Sequence, residues 1–169
     1  MANYFTGRQN QPHQPPSEFE ERIVQVNRVS KKTKGGNKIG FSVLMVVGDK
    51  KGKVGVGLGK APDVSSAIRK GVALGKKHLV EVPIVKGSIP FEYNIKLGAA
   101  KILLKPAPPG SGVIAGGAVR SVVSSAGIQN ISSKVLGTKN QASNVYATIE
   151  ALRQIGIRFK REKELGRIA

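Results

Sequence analysis

The segment Val54-Gly-Val-Gly-Leu-Gly59 leaves a folding chain few choices. Strict alternation at period two describes a β-strand whose successive side chains point to opposite faces. One face carries Val54, Val56 and Leu58, and the other carries only Gly55, Gly57 and Gly59. A strand face without side chains admits another backbone at close range. That backbone belongs either to a neighbouring segment of the same chain or to a bound partner, and the pattern leaves both open.

The residues on either side fit one unit. The β-branched run Phe41-Ser-Val-Leu-Met-Val-Val47 predicts a strand, and a hairpin joins Ile39–Val47 to Val54–Leu58 through Gly48-Asp-Lys-Lys-Gly-Lys53. An earlier strand is predicted where Ile23, Val24, Val26 and Val29 interleave with Gln25, Asn27 and Arg28. Between them lies a basic loop, Ser30-Lys-Lys-Thr-Lys-Gly-Gly36, followed by Lys38. Gly35 and Gly36 permit positive φ there and let backbone N–H groups approach a phosphate.

Past Gly59-Lys-Ala-Pro62 the period changes to that of a helix, with Pro62 expected at its first position and Asp63 at the positive end of its dipole. Val64, Ile68, Val72, Gly75 and Leu79 fall on one side, and Arg69, Lys70, Lys76 and Lys77 on another. Such a helix packs down on its apolar stripe and binds outward.

Apolar strands joined by cationic loops raise the question of charge. The 169 residues hold 28 Lys plus Arg against 10 Asp plus Glu, a net charge of +18. A field of that size suits a chain that sits on phosphates. Cysteine is absent, which excludes disulfides, thiolate zinc sites and cysteine nucleophiles. The two histidines, His13 and His78, have no partner at metal-ligand spacing, so no metal and no cofactor are expected. The acids lie mostly at termini, turns and helix ends, and no two form a pair within one loop for general acid–base work. No apolar run reaches the roughly 18 residues of a membrane span, and the N-terminus lacks the apolar stretch of a signal peptide. A cytosolic RNA-binding protein without a membrane partner is the expectation.

Four segments are expected: a polar, Pro-rich flexible tail over 1–17, a first unit over 18–82, a second over 83–157 and a basic tail over 158–169. Pro83 marks the join. In the second unit Ile84–Phe91 and Tyr93–Leu97 read as a strand pair, Lys101–Lys105 as a strand and Pro106–Gly112 as a turn-rich loop. Ala115–Ala126 reads as a small-residue helix ended by Gly127, and Ile128–Leu136 as a strand. Asn140 caps a last helix in which Val145, Ile149, Leu152 and Ile155 recur at helical spacing.

Two glycine motifs invite a nucleotide reading. Around Gly59-Lys60 a P-loop would need Gly at position 54 and Ser or Thr at 61, where Val54 and Ala61 stand. Gly110-Ser-Gly112-Val-Ile-Ala115 matches the dinucleotide pattern, but no Asp or Glu occurs between Glu92 and Glu150 to hold a ribose.

Longer stretches carry a more specific likeness. Val26-Asn-Arg-Val-Ser-Lys-Lys-Thr-Lys-Gly-Gly36, Phe41–Asp49 and Gly52-Lys-Val-Gly-Val-Gly-Leu-Gly-Lys-Ala61 resemble the first domain of the bacterial small-subunit ribosomal protein S-five family. Gly110-Ser-Gly-Val-Ile-Ala-Gly-Gly-Ala-Val-Arg120 and Asn144–Leu152 resemble its second domain, in the right order. The resemblance implies a two-domain α+β and α/β fold. Its first domain would be a β-β-β-α unit similar to a double-stranded-RNA-binding fold, and its second an α/β domain with a left-handed βαβ crossover.

By the same resemblance, the segment from Ser30 to Lys38 reaches small-subunit ribosomal RNA. Spectinomycin-resistance changes fall at positions matching Ser30, Lys31, Lys34 and Gly36. The second domain faces ribosomal proteins S-four and S-eight, with Gly112 and Arg120 toward S-four, where changes alter decoding accuracy. The family also helps to line the path by which messenger RNA enters. Asn37 departs from the usual Arg, and Gly40 from a common Ser.

The expected RNA-contacting set is Ser30, Lys31, Lys32, Lys34, Gly35, Gly36, Lys38, Lys50, Lys51, Lys53 and Lys60. A free-standing double-stranded-RNA-binding regulator is the rival reading, and an RNA-modifying enzyme the third. The regulator leaves the second unit without a task, and the enzyme lacks placed acids.

Overall fold

The structure, a computed structural model, describes residues 18–167, so the expected N-terminal tail lies outside the described residues. Three long strands come first among the described residues: β1 (Glu20–Thr33), β2 (Gly36–Gly48) and β3 (Lys53–Ala61). Helix α1 (Val64–Lys77) follows, and a short β4 (Leu79–Glu81) returns beside β3 to complete an antiparallel sheet of order β1-β2-β3-β4. The second half contains β5 (Tyr93–Leu97), β6 (Ala100–Pro106), β7 (Val113–Ile114), α2 (Gly117–Ala126), β8 (Ile131–Val135) and α3 (Gln141–Glu164). Its strands form a mixed sheet of order β5-β6-β8-β7, in which β7, α2 and β8 make a parallel β-α-β unit.

The glycine face of β3 has found its backbone, and it belongs to this chain. A Cβ on Gly55 would strike the carbonyl oxygen of Gly75, one on Gly57 that of Gly71, and one on Gly59 that of Ala67. Ala67, Gly71 and Gly75 form a smooth stripe along α1, four residues apart, so helix and strand meet backbone to backbone. Met45, opposite Gly57, and Val47, opposite Gly55, flank the contact from β2.

The opposite face of the sheet is equally covered. Leu44, Val46, Val54 and Val56 join Ile102, Leu104, Val122, Ile131 and Leu152 of the second half in one continuous core. β2 is therefore buried on both sides from Ser42 to Gly48, which explains its unbroken apolar run.

Several expectations are corrected at element ends. Asp63, not Pro62, is the boundary of α1: its carboxylate accepts the Ser66 N–H at 2.9 Å, and Pro62 precedes this cap. That same bond holds the Asp63 carboxyl below its ordinary value. Leu79 lies outside the helix, because His78 ends α1 and the chain turns into β4.

The stretch Ile84–Phe91 is not a strand. Lys86 and Gly87 take positive φ, a single Val85–Ser88 bridge closes the turn, and β5 pairs with β6 instead. The carbonyl of Gly87 accepts the N–H groups of Gln129 and Asn130, so this loop anchors the end of α2. Helix α3 continues through the stretch expected as a basic tail as far as Glu164. It is anchored there by Phe159 against Phe91 at 6.4 Å between ring centroids, and by Arg158 over the Phe91 ring at 4.8 Å.

Candidate nucleic-acid interface

The basic segment between the first two strands is not an irregular loop. β1 and β2 stay paired to Thr33 and Gly36, so only Lys34 and Gly35 form the turn. Gly36 has φ +123°, a backbone region that favours glycine, and the Thr33 hydroxyl donates to the Gly36 carbonyl at 2.8 Å. β3 joins β2 only from Phe41, opposite Ala61. The segment from Val29 to Gly40 is therefore a two-stranded ribbon that projects beyond the sheet.

Register decides what this ribbon displays. Lys31 stands directly opposite Lys38, and Lys32 opposite Asn37, all exposed. Like charges in direct cross-strand register repel. A two-stranded ribbon without a third strand is only marginally stable. Such an arrangement is disfavoured alone and favoured against a polyanion. At its base Ser30, Lys31, Lys38, Phe41, Lys60 and Pro62 line an open groove of about 370 Å³.

Lys38→Glu is expected to stabilise the free protein by about 0.2–1 kcal/mol, because it converts repulsion with Lys31 into attraction. The same change should weaken RNA binding. Paired urea and binding titrations check it, and a fall in both quantities would show that Lys38 serves the fold rather than the ligand.

The remaining expected lysines sit elsewhere. Gly48 lies ten residue steps along β2 from Lys38, a distance of about 33 Å at strand rise. The β2–β3 turn at that far end is docked on α2. Lys50 N–H donates to the Ser125 carbonyl at 3.1 Å and Gly52 N–H to that of Ala126 at 2.9 Å, capping the end of the helix. Asp49 accepts the N–H groups of Lys51 and Lys53 at 2.7 and 2.9 Å. The Lys50 ammonium pairs with Glu20 at 3.5 Å and that of Lys53 with Glu81 at 3.8 Å.

Lys51 and Lys53 line a second groove of about 410 Å³ together with Lys160 and Lys163 of α3. The latter two were missed in the sequence because nothing there shows that the last helix turn returns to the first sheet. The one usable signal was Phe159, an aromatic among charges.

Gly110 and Gly112, of the dinucleotide-like pattern, have φ +90° and +68°. Their N–H groups both donate to the buried Asn130 side-chain oxygen, at 3.0 and 3.2 Å. The amides a phosphate would need are thus turned inward. Gly112 is half-buried beside this clamp, and Arg120 is exposed, its guanidinium donating to the Val113 carbonyl at 3.4 Å.

Two family models match the chain: "Ribosomal protein S5, N-terminal domain" over residues 19–83 and "Ribosomal protein S5, C-terminal domain" over residues 95–157. The chain is 52% identical over 151 residues to the small ribosomal subunit protein uS5 of Synechococcus sp. (strain CC9902), covering 89% of this chain and 70% of that one. It is 50% identical to uS5 of Acaryochloris marina (strain MBIC 11017), covering 90% of this chain and 86% of that one. The uS5 of Thermotoga neapolitana (strain ATCC 49049 / DSM 4359 / NBRC 107923 / NS-E) is 51% identical, over 82% of this chain and 78% of its own length. The chain belongs to the ribosomal protein S-five family. That family is one of structural ribosomal proteins and not of enzymes.

Within this S-five family member the ribbon, its groove and Lys60 form one surface. The Lys50–Lys53 turn and the end of α3 form another. Among the described residues no three His, Asp or Glu side chains come together as metal ligands, and no helix is long and apolar enough to cross a membrane.

Proposed function

We propose that this chain is a structural constituent of the small ribosomal subunit that holds ribosomal RNA on the β1–β2 ribbon. The observation that carries this reading is the ribbon itself: an overhang of exposed lysines in mutual register, unsupported by the core and grooved at its base. Lys31, Lys32, Lys34, Lys38 and Lys60 contact phosphates, while Gly35 and Gly36 let the turn approach closely. Ser30, Lys31, Lys34 and Gly36 are the positions at which spectinomycin response is expected to change. Lys50, Lys51 and Lys53 serve a separate stretch of RNA at the far end of the sheet.

The second half contacts ribosomal proteins S-four and S-eight, lies near the path by which messenger RNA enters, and supports translational accuracy. Gly112 and Arg120 lie toward S-four. Both sit on or beside the β-α-β unit, where the Asn130 clamp holds the loop in one conformation. Arg120→Glu is therefore expected to change the miscoding rate of a reporter while subunit assembly stays normal. Unchanged accuracy with normal assembly would contradict the S-four assignment.

RNA affinity should fall steeply with salt. Eight neutralised phosphates give a log–log slope of about −6 to −7. A nearly flat slope would mean that protein partners carry the affinity.

A further inference from the structure

Among the described residues, one face of the second sheet carries no helix. Ala100, Ile102 and Leu104 of β6 are buried in the common core, whereas Lys101 and Lys105 are exposed and Leu103 is half-buried between them. Strand register carries this outward face across the sheet. Lys96 of β5 stands directly opposite Lys101, and Lys134 of β8 directly opposite Leu103. Ser132 lies opposite Lys105, and the exposed Ile114 of β7 pairs beside it.

The charge on this face is almost unopposed. Lys105 meets Glu92 at 3.4 Å, but Lys96, Lys101 and Lys134 have no ion-pair partner among the described residues. No acid occurs between Glu92 and Glu150. Lys96 and Lys101 in direct register repeat the device of the ribbon, a like-charge pair that only an anion relieves.

We propose that this open face is a second RNA-phosphate-binding surface, independent of the β1–β2 ribbon. Composition favours RNA over an acidic protein. All four cations are lysine, which protein interfaces deplete, and Leu103 with Ile114 is too little apolar surface for the dry centre of a protein contact. The outward positions carry no aromatic ring, so bases have nothing to stack on and recognition falls to the backbone. Binding here should be insensitive to sequence and sensitive to salt.

The test uses the full chain with Lys96→Gln/Lys101→Gln/Lys134→Gln, three exposed positions whose loss should leave thermal unfolding unchanged or slightly raised. Binding of a short mixed-sequence RNA duplex is titrated against salt. The expected result is a log–log slope shallower by about 2–3, the share of three phosphates. The same loss should appear when the ribbon lysines are already neutralised, so a failure here is distinct from a failure of the ribbon. A control variant, Lys86→Gln/Lys139→Gln/Arg153→Gln, removes as much charge from exposed positions outside the ribbon, the Lys50–Lys53 groove and this face, and should keep its slope. An unchanged slope in the sheet variant, an equal loss in the control, or equally tight binding of poly-glutamate through the same lysines would each overturn the proposal.

Discussion

Gly57→Val is expected to unseat α1 and, with it, the first sheet. The added Cβ would overlap the Gly71 carbonyl oxygen and lie 2.7 Å from the Gly75 nitrogen, both backbone atoms that no rotamer change can move. Relief requires lifting the helix, which opens the layer formed by Val43, Met45, Val47, Ala67 and Val72. The cost should reach at least about 3 kcal/mol, the upper range for overpacked cores. That is a large fraction of the roughly 5–15 kcal/mol that holds a domain folded. The urea midpoint measures it. Gly35→Ala is the control, since nothing lies within 4 Å of a Cβ there and its midpoint should hardly move. Equal stability of both variants would mean that the glycine face is not a packing surface.

Replacing Lys31, Lys34, Lys38 and Lys60 by Gln together should have the largest effect on RNA. These side chains belong to the ribbon and its groove, are exposed, and take part in none of the ion pairs among the described residues. Each lost phosphate contact removes about 0.7–0.9 from the salt slope, so the variant should lose about 3 in total. Stability should be unchanged or higher, because the Lys31–Lys38 repulsion disappears. A variant with lower stability and unaltered slope would place RNA elsewhere on the molecule.

The period-two segment from Val54 to Gly59 declared its strand and its two faces without help from tertiary structure. Which backbone fills the glycine face was not decidable locally, because Ala67, Gly71 and Gly75 become a matching stripe only once α1 is folded back. Periodicity weighted the larger Val64 and Ile68, which are only partly buried. The basic segment reads as a loop because exposed lysines hide the alternation on which strand recognition depends; register with β2 alone shows it to be a ribbon.

Ile84–Phe91 failed for the converse reason. Its apolar residues suggested pairing, but Ile89 is buried in the common core without a strand partner, and the turn at Lys86 and Gly87 serves the loop before β8. The expected lysines are exposed, and their division between the two ends of the sheet follows from the length of β2 and the docking of the Lys50 turn on α2.

The most direct measurement is sedimentation of cell extract through a gradient, before and after a high-salt wash, with this chain quantified in each fraction. Retention at one copy per small subunit is the predicted result. Loss of the chain into the light fractions would contradict a structural role and favour a transient RNA-binding regulator.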